Sequence, residues 1–86
     1  MATLIVYHQI DDKDHWLASP KREELFGPYG ITVRTFINPD DPTRAAVLVD
    51  TPDLETFRTA LSSPLAADSM TADGVHADTV MTFIEA

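Results

Sequence analysis

Leu4-Ile5-Val6-Tyr7 begins a β-branched and aromatic run that continues to Ile10 and predicts a strand. After it the apolar positions spread out, with Trp16, Leu17, Leu25 and Phe26 supplying one side of a helix. Asp11 or Asp12 can cap that helix, because a short carboxylate accepts the free amides of a first turn. Pro20 interrupts the pattern, which predicts a kink or two short helical pieces, the second capped by Ser19. Gly27-Pro28-Tyr29-Gly30 ends the helix and turns the chain. Period two returns from Ile31 to Asn38, where Ile31, Val33, Thr35 and Ile37 alternate with Thr32, Arg34, Phe36 and Asn38. Asn38-Pro39-Asp40-Asp41-Pro42-Thr43 is a turn signal, and Arg44 to Asp50 returns as the second arm of an antiparallel hairpin. Thr51-Pro52-Asp53 opens another helix, with Leu54, Phe57 and Leu61 at helical spacing. Ser63-Pro64 restarts it, Leu65 and Met70 carry its apolar side, and Gly74 closes it. Val75 to Ile84 is the last strand.

The order β-α-β-β-α-β is the plan of an α+β, ferredoxin-like fold: a four-stranded antiparallel sheet with two helices, each broken or kinked, on one face. A sheet whose other face is wet should alternate cleanly, and this one does not. Leu4, Val6 and Ile10 oppose Ile5 and Tyr7; Val47 and Val49 oppose Ala46 and Leu48; Met81 and Phe83 oppose Val80 and Ile84. Two helices cannot cover both faces, and each aliphatic side chain left in water forfeits about 1.5–3 kcal/mol. A twofold partner packed sheet to sheet removes that cost. The expectation is one domain over residues 1–86 that forms a homodimer through its second face.

Composition narrows the partners. Fourteen acidic against six basic residues leave a net charge of -8, which argues against a nucleic-acid or anionic-membrane partner. The absence of cysteine excludes disulfides, thiolate metal sites and cysteine nucleophiles. With three histidines, no His-Glu-x-x-His and no calcium-loop spacing, no metal is implied. Three glycines build no phosphate loop, and there is no serine elbow, so flavin and nicotinamide are not implied and no cofactor is expected. The short apolar run behind Met1-Ala2-Thr3 is neither a signal peptide nor a span, which makes the cytoplasm the expected location.

Several segments together resemble a known group: Tyr7-His8-Gln9-Ile10-Asp11-Asp12 leading to Asp14-His15-Trp16, Ile31 to Phe36 leading to Asn38-Pro39-Asp40-Asp41-Pro42, Asp53-Leu54-Glu55-Thr56-Phe57, Ser63-Pro64-Leu65 with Met70, and Gly74-Val75. In order and spacing the chain resembles the dimeric α/β-barrel superfamily, specifically the small stand-alone proteins grouped with antibiotic-biosynthesis monooxygenases and polyketide cyclases. The resemblance implies a ligand cleft between sheet and helices, and a cofactor-independent enzyme acting on a small aromatic or polyketide-like molecule. Haem-degrading members use an Asn on the first strand with a paired Trp and His. Here that strand carries Tyr7 and His8, and Trp16 lies in the first helix, which argues against haem degradation.

The candidate residues each carry a plainer alternative. His8, on the face of Leu4, Val6 and Ile10, is a general base if that face meets the helices, or a core histidine bonded to backbone. Arg34 is a candidate catalytic cation that steadies an enolate or phenolate, or else a salt-bridging surface residue. His15 and Trp16 are candidate walls of the ligand cleft; the alternatives are a solvated neighbour and a core anchor. Tyr29 could close the same pocket or pack against its turn, and Phe57 joins Trp16 and Tyr29 as a side chain that lines or fills the cleft. His76 beside Asp78 suggests an orienting pair or two edge residues, while Met70 and Met81 read as core filler. Two functions stay open: a cofactor-free monooxygenase or cyclase, and a non-catalytic homodimer that binds a ligand or serves assembly.

Overall fold

A computed structural model describes residues 1–86. The first strand, β1 (Ala2–Ile10), runs through the middle of the sheet, between β3 (Arg44–Thr51) and β4 (Val75–Ile84). The remaining edge is β2 (Thr32–Ile37), giving the order β2-β3-β1-β4 with every neighbouring pair antiparallel. Asn38 turns the β2–β3 hairpin as the pattern predicts, its side-chain oxygen accepting the Asp40 amide at 2.9 Å and the Asp41 amide at 3.2 Å. The β1–β4 ladder slips between Tyr7 and Gln9, where the Thr79 hydroxyl accepts the Gln9 amide at 2.8 Å. The slip is a bulge: one residue of β1 between Tyr7 and Gln9 stands against four of β4 between His76 and Met81.

Both helical regions are broken, at the prolines. α1 (Lys13–Ala18) is capped by Asp12, whose carboxylate accepts the Asp14 amide, and α2 (Lys21–Phe26) follows Pro20. Pro20, not Ser19, holds the cap position of α2; the Ser19 hydroxyl accepts the Lys21 amide from one residue further back. A 3-10 turn over Gly27–Tyr29 then ends at Gly30, whose φ of 70° is left-handed. α3 (Leu54–Leu61) starts on the Asp53 carboxylate, and α4 (Pro64–Asp73) starts on Ser63 and stops at Gly74, with φ 72°.

All helices pack on one face. There Leu4, Val6, His8 and Ile10 of β1, with Ala45, Val47 and Val49 of β3, meet Trp16, Leu25, Phe26, Phe57, Ala60 and Ala66. The opposite face is bare: Ile5, Phe36, Met81 and Phe83 are each about half exposed, and register places Ile5 beside Phe83 and Tyr7 beside Met81. Met81 is therefore on this open surface and is not core filler. Leu17 and Leu65, expected on the buried sides of their helices, point outward; in α4 the inward positions are Ala66, Ser69 and Asp73. No helix is long and apolar enough to cross a membrane.

Candidate functional site

His8 reaches the helix face because β1 alternates, and it arrives among Val6, Val47 and Trp16 with 6% of its surface exposed. Its ring stands edge-on to the Trp16 indole, with centroids 5.4 Å apart and planes at 79°. Nδ1 is buried without a hydrogen-bond partner. Burial lowers the His8 pKa below the ordinary value of 6.5; the Gln9 backbone opposes the shift and the charge of Arg22 adds to it. The imidazole is thus uncharged at neutral pH and able to accept a proton.

Across the indole lies a cation that the sequence pattern does not reveal. The guanidinium carbon of Arg22, on α2, sits 4.4 Å from the Trp16 ring centroid, and Nη1 donates to the Trp16 carbonyl at 2.9 Å. The same Nη1 is 3.9 Å from Oδ2 of Asp73, the last residue of α4. Both side chains are largely buried, at 15% and 5% exposure. Burial lowers the Arg22 pKa, while Asp73 and Glu23 hold it up; a guanidinium keeps its proton in either case. Between these groups is a cavity of about 80 Å³, walled by apolar side chains of β1, β3 and the helices, and touched by His8, Arg22, Ser69 and Asp73. The Ser69 hydroxyl, like His8 Nδ1, is buried without a partner.

Trp16 and Phe57 line this cavity, Phe57 stacked on Phe26 at 6.0 Å between centroids. His15 and Tyr29 do not. His15 is exposed, its Nε2 2.7 Å from the Ala72 carbonyl, so it ties α1 to the end of α4 from outside. Tyr29 is half-buried in the 3-10 turn, packed against the rim of the core. Arg34 stands on the open face, 5.6 Å from the Phe36 ring centroid, so within one chain it cannot share an anion with His8. Period two dictates this: residue 34 is one step from Val33, which faces the helices. His76 pairs with the Asp11 carboxylate and not with Asp78.

Arg22, Ser69 and Asp73 are not marked by apolar spacing. A signal for two of them exists: Ala66, Ser69 and Asp73 recur at intervals of three and four, which puts them on one helical face. Arg22 carries no comparable mark. No group of three or more His, Asp or Glu side chains is arranged to hold a metal ion.

No family model and no curated protein matches the sequence. Solved structures do match in shape. SnoaB, a cofactor-independent oxygenase from Streptomyces nogalater, superposes with a TM-score of 0.70 at 17% identity, over 99% of this chain and 90% of its own. A crystal structure of an antibiotic biosynthesis monooxygenase gives 0.67 at 13% identity, over 100% and 97%. Rv0793 from Mycobacterium tuberculosis gives 0.61 at 10% identity, over 100% and 94%. With four antiparallel strands in the order β2-β3-β1-β4 and its helices on one face, the chain has the ferredoxin-like fold of the antibiotic biosynthesis monooxygenases.

Proposed function

We propose that the chain is a cofactor-independent enzyme, monooxygenase- or cyclase-like, that removes a proton from a small molecule held between sheet and helices. The observation that supports this is His8: a buried, neutral imidazole with an unpartnered nitrogen beside an apolar cavity. A buried polar atom without a partner is unfavourable by a few kcal/mol unless a ligand or water supplies one. In the proposed step the imidazole takes a proton from a substrate C–H or O–H. The electron pair stays behind as an enolate or phenolate. Such an anion is electron-rich enough to react with dioxygen directly: the carbon–oxygen bond forms at the deprotonated carbon, the O–O bond breaks, and CH2 becomes C=O, the substrate itself supplying both hydrogens and the electrons that leave with the second oxygen as water. Trp16 supplies an aromatic wall beside the reacting group.

The working unit in this proposal is a homodimer paired through the open sheet face. The support is the row of half-exposed Ile5, Phe36, Met81 and Phe83, large apolar side chains gathered on the one sheet face that no helix covers.

The cavity volume favours a second reading, a non-catalytic binding or assembly domain, because about 80 Å³ is well under the roughly 300 Å³ at which drug-sized ligand pockets begin. Turnover separates the two. Small phenols, quinols and enolic 1,3-diketones are assayed for oxygen uptake and product formation with the wild type and with His8→Gln. The expected result is a loss of between about 10²- and 10⁴-fold in kcat for the variant. Turnover that survives H8Q unchanged removes the proposed base, and a folded wild type that neither binds nor turns over any of them supports the second reading.

A further inference from the structure

The Arg22–Asp73 pair is a loose contact at the cavity wall. Its 3.9 Å separation is beyond hydrogen-bonding distance, and of the five N–H donors a guanidinium carries, the Trp16 carbonyl takes one. The cavity beside it is about 80 Å³, roughly half the ~150 Å³ that accommodates a benzene ring in an apolar core. A ring-sized guest therefore has to displace something. The apolar walls are held by the sheet and by packed rings, whereas Arg22 rides on a six-residue helix cut off from α1 by Pro20. Moving Arg22 off Asp73 makes room, but it strips a buried cation of its counter-charge, which is costly unless the guest replaces it. The unpartnered Ser69 hydroxyl, 5% exposed and lining the same cavity, is a further donor for an incoming oxygen.

We infer that the cleft is selective for compact monocyclic acids of the enol or phenol type, whose ionised oxygen takes the place of Asp73 on Arg22. This rests on the cleft being the ligand site, and it names the group that holds the anion which His8 would generate. A guest of the same shape but without an ionisable oxygen opens the ion pair and offers nothing in return, so it is rejected. Arg22 is then the residue that sets specificity, and Asp73 is its competitor.

Trp16 is the only tryptophan in the chain and lies against both His8 and Arg22, so its fluorescence reports occupancy directly. The probes are cyclopentane-1,3-dione, ionised as its enolate at pH 7.5, and cyclopentanone, the neutral ring of similar size, titrated separately at fixed ionic strength. The wild type should bind the enolate at least about tenfold more tightly than the ketone. Arg22→Gln should abolish that preference. Asp73→Asn should move affinity the other way, tightening enolate binding several-fold by removing the competitor, a gain that damage to the fold does not produce.

Equal binding of the two probes by the wild type overturns the inference while leaving the cleft as a ligand site. No response to either probe overturns both. A preference that survives R22Q removes Arg22 from the role. Should R22Q fail to fold, an unchanged or weakened enolate affinity in D73N is enough to reject the inference.

Discussion

At the scale of single residues, what decides His8 is the set of neighbours that β1 and the helices bring to it. Its pKa is lowered chiefly by burial, so the folded chain disfavours the imidazolium that the unfolded chain forms readily. The sign follows. Above the unfolded value, near 6.5, both states are neutral at this residue and its contribution to stability is fully present. As pH falls through that value and on through the lower folded one, the unfolded state takes up the proton first and stability is lost. Urea unfolding at pH 7.5, 6.5 and 5.5 should show the wild type losing stability across this window, with H8Q losing less. Parallel losses in the two proteins would assign the effect to other groups. Catalysis by a His8 base should likewise hold its plateau to a pH below the ordinary histidine range. Alternation alone makes this residue legible, since period two sends His8 wherever Leu4, Val6 and Ile10 go. Arg34 falls with Phe36, opposite Val33, as the same alternation predicts, and that face is the one turned away from His8. Arg22 is not legible, because what makes it part of the site is a three-dimensional coincidence of α2, Trp16 and the end of α4.

Among the elements, local chemistry writes the boundaries plainly. Asp12, Asp53 and Ser63 cap where short polar side chains precede a helix, and Pro64 occupies the first helical position of α4. Which face of a helix turns inward is harder to read. Leu65 is the larger apolar residue, yet Ala66 is the one that fits under α4 against the sheet, and the polar Ser69 and Asp73 follow it inward. Gly30 and Gly74 separate two effects that usually come together. Both have left-handed φ, at 70° and 72°, which strains any residue bearing a Cβ by about 1–2 kcal/mol. A Cβ at Gly30 meets nothing within 4 Å, whereas one at Gly74 comes within 3.1 Å of the Asp11 carboxylate oxygen. Gly30→Ala should therefore lower Tm by the backbone strain alone, roughly 4–16 °C for a domain of this size. Gly74→Ala should lower it further and loosen the Asp11–His76 pair, visible as a change in the His76 ring resonances. Equal losses would mean that the Asp11 side chain moves aside freely.

For the whole molecule, the uncovered apolar face is the dominant fact. Chain order and alternation already imply it, because residues of both parities in β1, β3 and β4 are apolar and the helices are too few to cover two faces. A net charge of -8 opposes self-association through any charged surface, which leaves the face of Ile5, Phe36, Met81 and Phe83 as the one where a second copy gains most. Sedimentation equilibrium at micromolar concentration should give twice the chain mass for the wild type. Phe83→Glu, which buries a carboxylate in that interface, should give the single-chain mass with unchanged far-ultraviolet dichroism. A wild type that sediments as a folded monomer ends the dimer proposal.

The central position of β1 has a practical consequence for such experiments. Successive side chains of this strand serve opposite tasks: Ile5 and Tyr7 belong to the bare face, Val6 and His8 to the cavity, and one peptide thickness lies between them. Pressure on either surface is transmitted through the backbone to the other, with no intervening layer to absorb it. Dissecting self-association from ligand chemistry therefore calls for substitutions on the outer strands, at Phe36 or Phe83. A change at Ile5 or Tyr7 perturbs the seat of the imidazole at the same time, and its two effects cannot be read apart.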